Sequence, residues 1–203
     1  MVSQLDALSS TATLGSFGLS SGSGSGLPLG LPAEFNLDAA AKAAFFRGLT
    51  PDQVKEFLAI GEVKTFQASD VLIRENDTDD SMYLVVKGTV DIIKKVPPVI
   101  PGGPERQTSL FKPTIPQMMA VFNVGDMNLV AGIGRSATVV AVDEAMALQI
   151  TKPAFEALCL RDPVLGYHMM RNIANNIVSS LITTNGRVTK LTTALSIALA
   201  KRA

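Results

Sequence analysis

This chain is nearly without cysteine and histidine, and it has no surplus of charge of either sign. Its one cysteine, Cys159, excludes a disulfide framework, and a reducing, cytoplasmic setting is expected. Cys159 lies in an apolar helical pattern with Phe155 and Leu158, which predicts buried filler. The one histidine, His168, has no histidine or cysteine partners with which to build a zinc site or a catalytic triad. It is read as structural or solvated. Lys plus Arg and Asp plus Glu each number 18, so formal net charge is zero and no basic footprint for nucleic acid is present. No run of about 18 apolar residues occurs, so no membrane span is expected. The N-terminus lacks the basic region and compact apolar stretch of a signal peptide.

Apolar residues make up 47% of the 203 and charged residues 18%, enough for one domain plus appendages. Residues 1–36 read as a Gly/Ser/Leu/Pro-rich leader in which Asp6 is the only charge before Glu34. Its SSGSGSG stretch at 20–26 has linker composition. Its leucines and Phe17 exceed what a spacer needs. Two readings stand side by side: a disordered tail, and a docking peptide that orders on a protein partner.

Residues 37–60 are predicted helical, with Gly48 closing the first helix. Thr50-Pro51-Asp52-Gln53 then opens another with a capping box and an early proline. From Glu62 to Ile150 the period changes. VKTF, VLIRE, MYLVVKGTVDIIKKV, AVFNV, SATVVAV and AMALQI are short β-rich runs separated by turn residues. Their spacing predicts a sandwich or a closed barrel. Pro97–Pro116 is read as a proline-rich surface loop or insertion. Thr151–Phe155 starts a short helix. Asp162-Pro163 starts a longer one, with Asp162 as N-cap. Leu181, Thr184, Val188, Leu191, Leu195 and Ala198 then alternate by three and four, a heptad seam interrupted by Gly186. One long helix or two fit the pattern. The seam is expected to pair two copies of the chain or to fold back onto the barrel.

The stretch Val124–Ala141, VGDMNLVAGIGRSATVVA, carries the chemistry. A Gly-containing turn with free N–H groups can cradle a phosphate, and the guanidinium of Arg135 can clamp it. Other motifs resolve to ordinary structure. Asn76–Asp80 is acidic but lacks the glycine and terminal glutamate of a calcium loop, so it is read as a turn. Gly132-Ile133-Gly134 lacks dinucleotide or P-loop spacing. Met118, Met119 and Met127 are read as core filler.

From about Ala39 to Leu191 the chain resembles a cyclic nucleotide-binding domain, the fold of the catabolite activator family and of kinase regulatory subunits. The residues from AFFRGLTPDQ to VKGTVDI match the family's opening. Those from GRSATVVAVDEAMALQITKPAF to NNI match its second half. The resemblance implies a mainly β fold: a jelly-roll β-barrel with flanking N-terminal helices and a long C-terminal helix. The implied boundaries are 37–186 for the domain and 187–203 for a C-terminal helical extension. It also implies a phosphate cassette at Gly125, Asp126, Asn128, Leu129, Arg135, Ser136 and Ala137, with cyclic AMP or cyclic GMP as candidate ligand and no further cofactor.

The cassette departs from the family pattern. Gly134 replaces the proline before the arginine, and the glutamate that would accept the ribose hydroxyl is missing. An ungapped alignment puts Asp126 there. A second alignment makes Gly125-Asp126 the preceding turn and shortens the cassette by about four residues. A buried hydroxyl without its acceptor costs about 1–3 kcal/mol, one to two orders of magnitude in affinity. No helix-turn-helix is expected after the long helix, and no catalytic constellation is visible. Two functions follow. One is a stand-alone, non-enzymatic regulatory module that binds a cyclic nucleotide or related phosphate weakly. The other is a ligand-free adaptor that joins an assembly through its leader, loop and C-terminal helix.

Overall fold

The computed structural model describes residues 26–32, 35–96, 106–111, 114–115, 121–132 and 134–200. Helix α1 (Leu37–Ala41) is capped by the Asn36 side chain and runs into a 3-10 turn at Ala44–Phe46. The continuous helix expected up to Gly48 is therefore broken. Ala43 turns extended, and the 3-10 turn drives both Phe45 and Phe46 inward. Their rings meet each other and Phe57 edge-on, with centroids 5.1–5.5 Å apart. Helix α2 (Pro51–Ala59) begins with the predicted capping box: Gln53 N–H donates to Thr50 Oγ1, and Thr50 N–H to Gln53 Oε1.

Among the described residues eight strands follow: β1 (Glu62–Phe66), β2 (Val71–Ile73), β3 (Met82–Val96), β4 (Arg106–Phe111), β5 (Thr114–Ile115), β6 (Phe122–Val124), β7 (Thr138–Ala141) and β8 (Ala145–Ile150). They form one curled antiparallel sheet in the order β1-β8-β3-β7-β2, with β4, β5 and β6 also paired to β3. This is a jelly-roll barrel with flanking helices, as the sequence predicts. The Pro97–Pro116 segment is not all loop. Arg106–Phe111 and Thr114–Ile115 pair antiparallel with β3 and lengthen the sheet. Its remaining residues lie outside those described.

Both faces of β3 are buried, and side-chain alternation sends them to different cores. Met82, Leu84 and Val86 join Phe46, Phe57, Leu148 and Leu158 beneath the helices. Tyr83 and Val85 join Leu72, Val139 and Ala147 inside the curl of the sheet, and Val90 joins them because a register shift between Val85 and Lys87 reverses the alternation.

Helix α3 (Asp126–Ala131) links β6 to β7, and α4 (Lys152–Arg161) follows β8. Helix α5 (Pro163–Ala200) is one continuous helix of 38 residues that runs through Gly186. Asp162 caps it, accepting from the backbone N–H groups of Val164 and Leu165, each at 3.0 Å. Leu165, Met169 and Ile173 are at most 1% exposed and hold its first half on the core. Asn172 Nδ2 adds bonds to the carbonyls of Phe45 and Arg47, both 2.9 Å.

Residues 1–25 of the expected leader lie outside the described set, as do Met118 and Met119. Its end is not free: Leu27 and Leu31 pack against the helical core. Cys159 is half-buried rather than fully enclosed, and burial pushes its thiol pKa up. Nδ1 of His168 is buried against Gly48 without a hydrogen-bond partner.

Candidate functional site

Gly125 makes the turn that builds the site. It has φ +77°, and a Cβ there would stand 2.5 Å from Arg135 Nη1. The left-handed backbone and the missing side chain let α3 start immediately beneath the guanidinium. The six residues of α3 fill the chain between Gly125 and Gly132.

Arg135 is 2% exposed. Its Nη2 donates to Asp79 Oδ2 at 2.8 Å and to the Ser81 carbonyl, and its Nη1 to the Gly125 carbonyl at 3.4 Å. Backbone bonds fix it further: Arg135 N–H donates to Asp77 O, and Asn76 N–H to Arg135 O. The acidic turn at Asn76–Asp80 is thus the counter-ion and clasp of the arginine. Ser81 also donates to Asp79, from its backbone N–H at 3.1 Å and its hydroxyl at 2.8 Å. Partial burial works against the Asp79 carboxylate, but the bonds from Ser81 and Arg135 outweigh it and hold its pKa below the ordinary value.

Asp126 opens α3 and is 6% exposed. Its Oδ2 accepts from Asn123 Nδ2 at 2.7 Å and from Asn176 Nδ2 at 2.8 Å. Burial dominates and pushes its pKa up, while the two amides oppose it in part. One carboxylate oxygen therefore fastens α3 to α5. A ribose hydroxyl seeking that oxygen would compete with two amides already in place.

These groups surround a cavity of about 520 Å³, within the range of small-molecule sites. Of the predicted site residues, Gly125, Asp126, Asn128, Arg135, Ser136 and Ala137 line it. Leu129 does not; it is 3% exposed and packs into the helical core. Asn128 donates to the Asp79 carbonyl at 3.4 Å, and the Ser136 carbonyl accepts from Lys94 Nζ at 2.6 Å. Lys94 is itself paired with Glu75 at 2.6 Å. Met127, expected as core filler, is 37% exposed and lines the cavity.

Sequence reading missed the opposite wall. Asn176, Ser179, Ser180, Thr183, Thr184 and Arg187 of α5 face the cassette across the cavity. Their spacing of three and four puts them on one helix face, and that polar stripe was visible in NNIVSSLITTNGR. The barrel contributes Ile73, Ile92, Phe122 and Val139. Among the described residues no cluster of three or more metal-ligating side chains occurs. No described helix is long and apolar enough to cross a membrane.

No family model matches the chain. A glutaminase of Bradyrhizobium diazoefficiens is 26% identical over 152 residues, covering 75% of this chain and 22% of that protein. The cyclic AMP receptor protein of Thermus thermophilus is 26% identical over 132 residues, covering 65% of this chain and 56% of its own length. The chain thus spans about a fifth to just over half the length of these relatives. A crystal structure of a cyclic nucleotide-binding domain from Methylobacillus flagellatus superposes with a TM-score of 0.62 at 19% identity, covering 75% of this chain and 79% of that one. The curled antiparallel sheet with its flanking helices and long C-terminal helix matches that architecture: the chain has the cyclic nucleotide-binding-domain fold.

Proposed function

We propose that this chain is a non-catalytic regulatory module that binds a cyclic nucleotide or a related phosphate between its cassette and α5. One observation carries the reading. The cavity wall is shared by Gly125–Asn128 and Arg135–Ala137 on one side and by the Asn176–Arg187 face of α5 on the other, so a ligand that fills it touches both. The Asp126–Asn176 bond links the same two elements, and a ligand hydroxyl that engages Asp126 would loosen it. Occupancy is thereby reported as a change in how α5 is held.

Affinity is expected to be low. The Arg135 charge is already balanced by Asp79, and Asp126 is already satisfied. The guanidinium has five N–H donors. Its partners among the described residues leave the Nε proton and one on Nη1 for a phosphate. Calorimetric titration with cyclic AMP and cyclic GMP tests this. Micromolar binding that falls at least roughly tenfold in Arg135→Ala supports it. No heat up to millimolar ligand overturns it. Arg135→Ala also strips partners from Asp79 and the Ser81 carbonyl, so its unliganded melting must be measured alongside.

The adaptor reading has an observation of its own. Val188, Leu191 and Leu195 are 55–70% exposed along the predicted seam. A second copy of this chain, seam against seam, would cover them. The double variant Leu191→Asp/Leu195→Asp would then shift the sedimentation coefficient to that of a monomer. An unchanged coefficient removes this reading's support. A cytoplasmic setting, argued from the lone cysteine, belongs to the same proposal, as does a protein partner for the leader.

A further inference from the structure

We infer that the far end of the cavity is a second anion subsite built around Arg187, and that the ligand is a nucleotide carrying two separately held phosphates. This rests on the nucleotide reading above and narrows its ligand class.

The cavity has two guanidinium groups in unequal states. Arg135 is buried and neutralised, 2.8 Å from Asp79. Arg187 lines the cavity, is exposed, and has no ion pair among the described residues. An incoming anion gains less beside a charge that is already balanced than beside one that is not. The cassette therefore positions one phosphate through its remaining N–H donors, while Arg187 is the group with charge to offer.

Spacing and chemistry between these ends agree. Asn176, bonded to Asp126, marks the cassette end of α5. Arg187 lies eleven residues on, about 16 Å along a helix rising 1.5 Å per residue. Helical side chains lean toward the N-terminus, which brings the guanidinium back toward the cassette. On the barrel wall of the same cavity, Ile73, Ile92, Phe122 and Val139 offer an apolar surface to a planar base. Opposite stand Ser180 and Thr184, one turn apart. Their hydroxyls make no hydrogen bond among the described residues, whereas Ser179 and Thr183 are turned back onto carbonyls of their own helix. An apolar wall, a facing pair of free hydroxyls and an unbalanced guanidinium suit a base, its hydrogen-bonding edge and a second phosphate.

The test is calorimetry on the full chain with cyclic AMP, adenosine 3′,5′-bisphosphate and cyclic di-AMP as probes. The two latter probes distinguish a terminal second phosphate from a bridging one. At least one should bind roughly tenfold or more tightly than cyclic AMP, as expected of an added arginine–phosphate contact. Arg187→Gln should remove that margin, so that the tighter probe and cyclic AMP bind the variant about equally, while Arg187→Lys keeps part of it. The inference is overturned if cyclic AMP binds as tightly as both other probes, if the margin survives in Arg187→Gln, or if no probe binds. The cyclic nucleotide reading fails separately, when cyclic AMP alone gives no signal or ignores Arg135→Ala. Arg187 makes no ion pair among the described residues, so circular dichroism of both variants should match the parent.

Discussion

The two halves of α5 have similar sequence patterns and opposite fates. From Pro163 to about Ile177, apolar residues at spacings of three and four are driven into the helical core, and Leu165, Met169 and Ile173 are at most 1% exposed. From Val178 onward the same spacing continues through Leu181, Val188, Leu191 and Leu195, yet each is at least 53% exposed. Helical periodicity therefore specifies a face, not what covers it. The 3-10 turn and α4 cover the first face. Across the cavity the second half presents its polar stripe, which leaves the apolar stripe outward. Position 177 is the border between a helix that is core and a helix that is wall.

Matched substitutions break this comparison most sharply. Ile173→Ala should cost about 2–5 kcal/mol, since it opens a void in a closed core. Leu191→Ala, on an exposed surface, should stay within about 0.5 kcal/mol. Urea denaturation measures both, and an equal cost would mean that the second half is also packed in solution. Asn172→Ala comes next, at about 1–3 kcal/mol, because it strands the carbonyls of Phe45 and Arg47. Its loss should loosen the 3-10 turn first, read as faster amide exchange at Phe46–Leu49. Gly186→Ala should act in the other direction. A Cβ there meets nothing within 4 Å, so the exposed half gains about 1 kcal/mol of helix propensity. The change is seen as greater helicity at 222 nm, and a loss of helicity would mean that packing fills that space.

The smallest effect is electrostatic. Folding raises the Asp126 pKa, so the cost of its buried charge is full above that folded value. The cost shrinks as pH falls toward the unfolded value. Asp126→Asn removes the charge and can still accept from Asn123 and Asn176. It should stabilise by under about 1 kcal/mol at neutral pH, with the gain fading on acidification. Asp79 has the opposite sign. Its lowered pKa supports the fold above the unfolded value and is lost as pH falls through the folded one. A gain in Asp126→Asn that grows at low pH would contradict the assignment.

What the sequence disclosed was local. The β-rich runs, the Thr50–Gln53 box, the Asp162 cap and the isolated Arg135 each announce themselves within a few residues. What it withheld depended on partners far along the chain. Nothing near Asp79 says that it will meet Arg135, and nothing in Arg106–Phe111 says that β3 extends far enough to pair with it. Leu129 misled for a related reason. A cassette position says which loop a residue occupies, but only the orientation of α3 decides whether it faces the cavity or the core. The polar stripe of α5 was legible in principle. Serine and threonine at helical spacing are what any solvated face carries, so only the barrel opposite distinguishes this face as a cavity wall.

Strand β3 also governs the order of assembly. It pairs with β4, β5, β6, β7 and β8, and its first residue, Met82, is matched with Ile150. As the chain is made, β6 is the first strand to pair with Tyr83–Val85, and the other edge of MYLVV waits unpaired until β8 has been synthesised. Such long-range pairing folds more slowly than local helical contacts, and the waiting strand is the segment most in need of protection from its neighbours.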